Sequence, residues 1–133
     1  MELEIFFEGN KKVNARLNGS VIKTDQSKRS GGDESAPEPF SLFLASIGTC
    51  AGIYVKSFCE QRGIDASNIK IMQRHNFNPQ TRLIDKVELE AVLPADFPEK
   101  YRKALISAMD LCTVKRHLNN PPEFDTFTSL QEG

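Results

Sequence analysis

The stretch PFSLFLASIGTCAGIYVKSFCEQRG, residues 39–63, decides the fold. No charge falls between Pro39 and Val55, and Lys56, Glu60 and Arg62 follow before Gly63. Proline suits a first helical turn, where its missing N–H is no loss, and glycine supplies the left-handed residue that ends many helices. Between them Phe40, Phe43, Leu44, Ile47, Cys50, Ala51, Tyr54, Val55 and Phe58 keep a helical spacing. Leu42 and Ile53 make the first half apolar nearly all round, which predicts a helix buried on every side. A membrane span is the rival reading, because the uncharged run reaches the short end of the ~17–25 residues a span needs. Ser41, Ser46, Gly48, Thr49 and Gly52 interrupt that run, and no second apolar segment exists, so no membrane is expected. Ala45, Ser46, Gly48, Ala51 and Gly52 instead allow another backbone to approach closely, around Cys50.

The rest of the composition narrows the function classes. A chain of 133 residues suits a single domain, 1–133, with a real core. The net charge is −1 with both signs interspersed, so no basic stripe recruits nucleic acid. The opening MELEIFFEG has neither the basic start nor the apolar run of a secretory signal. Three unclustered cysteines do not resemble a disulfide scaffold, and the expected compartment is the cytoplasm, where thiols are kept reduced.

Outward from the central helix, residues 2–8 alternate, with Leu3, Ile5 and Phe7 on one side and Glu2, Glu4 and Glu8 on the other. Val13, Ala15 and Leu17 oppose Lys12, Asn14 and Arg16 in a second strand. Asn18-Gly19 is a strong hairpin signal, and residues 20–24 return. This predicts a three-stranded antiparallel meander. Residues 25–39, DQSKRSGGDESAPEP, read as a long loop, either functional or a disordered connector. Beyond the helix, residues 68–77 place Ile69, Ile71, His75 and Phe77 on one face. Asn78-Pro79-Gln80 turns the chain, and residues 82–93 place Leu83, Val87, Leu89, Ala91 and Leu93 inward. Asp96 with Glu99 predicts a capping box before a helix bearing Tyr101, Ala104, Leu105, Ala108, Leu111 and Cys112 on one stripe. Cys112 then ends that helix or opens a short one at TVKRHLNN, and residues 124–128 read as a closing strand. The sum is α+β, a mainly antiparallel sheet around a long buried helix, with a second helix carrying another cysteine.

Few residues offer chemistry. Two histidines make no convincing metal site, and no phosphate-binding glycine loop is present. His75 reads as a hydrogen-bonded core histidine and His117 as part of a solvated face. A lone helical cysteine is most often a small buried hydrophobe, so position has to separate the three. Cys59 follows Cys50 by nine residues, which at about 100° per residue puts it on the opposite side of the helix; it reads as structural. If Cys112 opens the TVKRH turn, a helix N-terminus with Lys115 and Arg116 one turn on favours the nucleophilic thiolate. Cys50 has apolar neighbours and needs a cation to be reactive.

The segment SGGDESAPEPFSLFLASIGTCAGIYVKSFCEQRGI resembles the OsmC/Ohr family of osmotically inducible and organic hydroperoxide resistance proteins. The carriers are the Gly/Pro loop running into a helix with a mid-helix cysteine, Ala45-Ser46-Ile47-Gly48-Thr49-Cys50. A second cysteine follows after an amphipathic helix, Cys112-Thr113-Val114-Lys115. The resemblance spans nearly the whole chain and implies an entwined homodimer and a cofactor-free thiol peroxidase for organic hydroperoxides. It makes Cys50 the peroxidatic cysteine and Cys112 the resolving one, their disulfide reopened by a dithiol reductant. Family members specialised for peroxides hold an arginine over the thiol with a carboxylate near the helix start. That position is Ser41 here, with Glu38 offset by three; Arg16, Arg29, Lys11 and Lys12 are the candidate cations. The departure marks a divergent OsmC-like branch. It also motivates two alternatives, a non-catalytic protein binding an apolar ligand at the dimer interface and a redox sensor.

Overall fold

The computed structural model describes residues 1–132. The described residues form two compact bodies, one up to residue 47 and one from residue 48 onward. The first holds β1 (Glu4–Phe7), β2 (Val13–Leu17) and β3 (Ser20–Ile22). β1 pairs with β2 and β2 with β3, all antiparallel, as the meander requires. Asn18 and Gly19 take φ of 46° and 82°, which is the tight turn that follows strand twist. Ile5, Ala15 and Ile22 are cross-strand partners, and so are Phe7 and Val13. This apolar face is open, Phe7 being 82% exposed.

One residue of β2 departs from the alternation. Asn14, expected outward, is buried. Its amide donates to Glu8 Oε1 at 2.8 Å and its oxygen accepts the Thr24 N–H at 3.3 Å. A polar side chain at a buried position is tolerated because both ends are satisfied.

Residues 25–39 are built rather than slack. Asp25 is fully buried, and its carboxylate gathers the segment around itself. It accepts Ser35 Oγ at 2.5 Å, the Ser35 N–H at 3.0 Å, the Gln26 N–H at 2.7 Å and the Asp33 N–H at 3.5 Å. The Asp25 N–H in turn donates to the Pro37 carbonyl at 3.1 Å. A short 3-10 turn, Lys28–Ser30, is capped by Ser27. Lys12 reaches Asp33 at 2.7 Å and the Asn10 amide donates to the Gly31 carbonyl at 3.0 Å, tying the segment to the β1–β2 end. Gly32 lies so close beneath Gln26 that a Cβ there would stand 2.1 Å from its carbonyl oxygen.

α1 (Pro39–Gln61) begins at the expected proline. It ends in a Schellman cap: Gly63 takes φ of 67°, its N–H meets the Glu60 carbonyl and the Ile64 N–H meets the Cys59 carbonyl at 2.9 Å. By length and composition it could cross a membrane. It is not buried on every side, as its sequence led one to expect. Ile47, Ala51, Val55, Phe58 and Cys59 are buried, whereas Phe40 is 56% and Ile53 65% exposed.

The second body packs Ala51, Val55, Phe58 and Cys59 against Phe97, Leu105 and Met109, with Ile64, Ile69, Ile71, Leu89, Ala91 and Leu93 around them. β4 (Lys70–Asn78) and β5 (Leu83–Val92) form an antiparallel hairpin. Gly48 and Gly52 face it, with Gln73 and Ile71 the nearest side chains. The small residues of α1 thus admit β4 of the same chain. An irregularity at Asn76/Phe77 shifts the register, so Ile84 rather than Leu83 turns inward; Leu83 is 66% exposed. His75 is exposed and bonded to Gln73 rather than sunk in a core.

α2 (Arg102–Asp110) buries Leu105 and Met109, and α3 (Thr113–Asn119) follows after Cys112. The capping box does not form. A 3-10 turn, Glu99–Tyr101, precedes α2 and Pro98 opens it without a side-chain cap. Nor do residues 124–128 make a strand; their alternation finds no paired edge among the described residues. The architecture is α+β, with a three-stranded and a two-stranded antiparallel sheet in place of one larger sheet, and three helices.

Three outcomes test this packing. Gly32→Ala should lower stability by about 1–3 kcal/mol in urea unfolding, because a backbone carbonyl must move. Gly48→Ala should be near neutral: its clash is with the tip of the Gln73 side chain, and alanine returns about 0.5–1 kcal/mol of helix stability. The Ser35 hydroxyl and the surrounding N–H groups hold the Asp25 carboxyl well below the usual carboxylate range. Its folded pKa is depressed, so its contribution is present in full above the unfolded value of about 3.9 and is lost only as pH falls through the lower folded value. Hydrogen exchange should show the Ser35 amide protected through that range in the wild type and unprotected at neutral pH in Asp25→Ala.

Candidate functional site

The buried seam of α1 fixes the helix's rotation, and Cys50 falls on the edge of that seam. Its thiol is half-buried and opens into a cavity of about 520 Å³. Ile53, Tyr54, Phe58 and Ala108 give the cavity an apolar wall; Ser57, Gln61, Arg62 and Thr113 complete it. Cys50, Tyr54, Ser57 and Gln61 follow one another at i, i+4, i+7 and i+11, a single stripe down one helix. Tyr54 Oη lies 3.3 Å from Thr113 Oγ1, which ties this stripe to the start of α3.

Cys112 is fully buried and occupies the break between α2 and α3. Its sulfur caps α3 by accepting the Lys115 N–H at 3.3 Å. The cations expected to attend it are turned elsewhere. Lys115 Nζ pairs with Asp110 at 2.5 Å, and Arg116 donates to Thr113 Oγ1 at 3.2 Å. Cys112 does not line the cavity into which Cys50 opens, but the residue after it, Thr113, does. All three cysteines are free thiols. Cys59 lies on the far side of α1 in the core, where burial pushes its thiol up and the Arg62 guanidinium partly opposes that.

The supporting residues named from sequence are placed as follows. Arg16 stacks on Phe6 at 4.4 Å and pairs with Glu4 at 3.5 Å. Arg29 is exposed in the 3-10 turn of residues 25–39. Both belong to the first body. Ser41 is exposed on the first turn of α1, and the Glu38 carbonyl accepts the Leu42 N–H at 3.2 Å. Among the described residues Glu38 forms no ion pair. The cation that lines the Cys50 cavity is Arg62, which the sequence reading passed over. Its guanidinium lies 3.6 Å above the Phe58 ring and 5.3 Å from Tyr101, and Nη1 donates to the Phe58 carbonyl at 3.0 Å. The available signal was its place one residue before the capping glycine. Among the described residues no cluster of metal-ligating side chains occurs.

The family model for OsmC-like proteins matches residues 31–127. The chain belongs to the OsmC-like family. The chain is also similar in fold to solved structures. One is a Psychrobacter arcticus protein named for an osmotic stress induced and detoxification response, with TM-score 0.72, 17% identity and coverage of 86% of this chain and 85% of that one. Another is an OsmC-like protein of Mycoplasma pneumoniae, with TM-score 0.67, 13% identity and coverage of 90% and 87%. A third is an organic hydroperoxide resistance protein of Legionella pneumophila, with TM-score 0.55, 12% identity and coverage of 89% of each chain. At these identities the likeness speaks for the fold. No curated protein matches the sequence. The OsmC-like fold accounts for the α+β order of elements.

Access separates the three thiols of this OsmC-like chain. A brief pulse of N-ethylmaleimide on the native protein should add one label, at Cys50. Cys59 and Cys112 should react only after denaturation. Peptide mass mapping reads the order, and early labelling of Cys59 would contradict the packing.

Proposed function

We propose that this OsmC-like protein is a Cys-based thiol peroxidase that reduces organic hydroperoxides. The observation that carries the reading is the Cys50 thiol opening into a largely apolar cavity whose wall includes Thr113, the residue next to Cys112. In the first step the Cys50 thiolate attacks the distal oxygen of ROOH. The S–O bond forms as the O–O bond breaks, the alcohol leaves with a proton, and the sulfur is oxidised to a sulfenic acid. In the second, the Cys112 thiol displaces hydroxide from that sulfur, releasing water and leaving a disulfide. A dithiol reductant then exchanges with the disulfide, taking up its two oxidising equivalents and restoring both thiols. No cofactor enters the cycle.

The step at Cys112 calls for a local rearrangement, because Cys112 is fully buried and does not line the cavity into which Cys50 opens. We place the protein in the cytoplasm, as one OsmC-like domain acting as an entwined homodimer. The open apolar side chains Ile5, Phe7, Phe40 and Phe43 of the first body support a second copy covering them. Ser41, without the carboxylate expected at the helix start, supports assignment to a divergent branch. A second reading, a binding protein for an apolar ligand, draws on the same apolar wall of Ile53, Tyr54, Phe58 and Ala108.

Intact mass decides between them. One equivalent of cumene hydroperoxide should remove two hydrogens from the wild type. In Cys112→Ala it should leave a dimedone-trappable sulfenic acid at Cys50. Turnover should vanish in Cys50→Ser and persist in Cys59→Ser. If Cys50 stays reduced in both the wild type and Cys112→Ala, the peroxidase is refuted and the binding protein remains.

A further inference from the structure

We propose that Arg62 determines the specificity of the Cys50 cavity by receiving the carboxylate of an elongated alkyl hydroperoxide whose reacting oxygen lies at the Cys50 thiol. The inference rests on the peroxidase reading and adds to it the charge and reach of the substrate. Arg62 sits at the last position before the capping glycine, so the Schellman turn fixes where its side chain starts. The guanidinium then folds back along α1, stacking on Phe58 at 3.6 Å and bonding the Phe58 carbonyl at 3.0 Å. Stacking on the aromatic face, together with the negative end of the helix dipole, holds a cation in one place. One of its N–H groups serves the carbonyl, while a guanidinium has five in a planar fork suited to carboxylates. Among the described residues no carboxylate pairs with it and no acidic residue lines the cavity.

The spacing supplies the second half of the argument. Phe58, over which the cation lies, follows Cys50 by eight residues, or about 12 Å along the helix axis. Ile53, Tyr54 and Ala108 give that interval an apolar wall, with Ser57 and Gln61 completing it. A compact neutral hydroperoxide fills only the Cys50 end. An extended chain with a terminal anion fills the interval and neutralises Arg62. Length and charge are therefore selected together.

The test uses the 133-residue protein with ω-hydroperoxy alkanoic acids of graded length and their methyl esters, below their aggregation concentrations. For the acids that reach Arg62, kcat/KM should exceed that of the matching ester about ten-fold, the size of one exposed charge-assisted contact. Acids too short to reach it should show no preference. Arg62→Gln should bring the acid-to-ester ratio to near one, and Arg62→Lys should recover part of it. The ratio is taken within each variant, so a general loss of stability does not move it. Calorimetric binding of the unreactive ω-hydroxy acids gives a readout without turnover. Consumption of cumene hydroperoxide with no acid preference overturns the role of Arg62 and leaves the peroxidase intact. Arg62-dependent binding of hydroxy acids with no peroxide consumed upholds the anion site and overturns the peroxidase. An acid preference that survives in Arg62→Gln overturns the assignment.

Discussion

The apolar seam of α1 settles how every other part of the second body is arranged. Ala51, Val55, Phe58 and Cys59 meet Phe97, Leu105 and Met109 and lie under the Ile71, Leu89 and Ala91 face of the β4–β5 hairpin. Burying a large apolar side chain stabilises by about 1.5–3 kcal/mol, against about 1 kcal/mol for a hydrogen bond such as Tyr54 to Thr113. The seam therefore sets the helix's rotation, and polar contacts adjust to it. Because the rotation per residue is about 100°, seating Cys59 in the core leaves Cys50 half a turn round the helix from it, at the edge of the seam where the cavity opens. The two thiols are chemically alike; their different exposure follows from packing alone.

Sequence periodicity showed much of this. The α1 boundaries, the Asn18-Gly19 hairpin and the β4–β5 pair were legible because each is signalled locally, by a proline, a turn dipeptide or an alternation. What went unread depended on partners distant in sequence or on irregular backbone. The irregularity at Asn76/Phe77 exchanges Leu83 for Ile84, and no composition rule announces it. Residues 124–128 alternate as a strand should, yet alternation does not provide an edge to pair with. Asp96 and Glu99 have capping-box spacing, but Pro98 leads into a 3-10 turn instead. Arg62 was invisible as a cavity residue because its position is set by the Schellman turn and by Phe58, not by the charge pattern around it.

Residues 25–39 show why polar composition is a poor guide to order. Serines, glycines and acids there suggest a slack connector, yet one carboxylate converts them into a scaffold. Burying Asp25 leaves no water to solvate it, so the Gln26, Asp33 and Ser35 N–H groups and the Ser35 hydroxyl must converge on it. That convergence in turn closes the backbone so tightly over residue 32 that only glycine fits without a shift. The exposed Lys12–Asp33 pair is of the kind that contributes little by itself. It follows the fold of the segment and does not create it.

Cys112 carries the last consequence of these constraints. As the cap of α3 its sulfur occupies one of the N–H groups that a helix start leaves without an intrahelical partner. A sulfur so engaged is fixed in direction, and its burial keeps external thiols and oxidants away. Under the peroxidase reading both facts act in one sense. The reduced protein meets peroxide at Cys50, the half-buried thiol, while Cys112 waits where little else can reach it. The wall residue next to it, Thr113, lies within hydrogen-bond reach of the Tyr54 hydroxyl on the Cys50 stripe of α1. That contact joins the element bearing one sulfur to the element bearing the other.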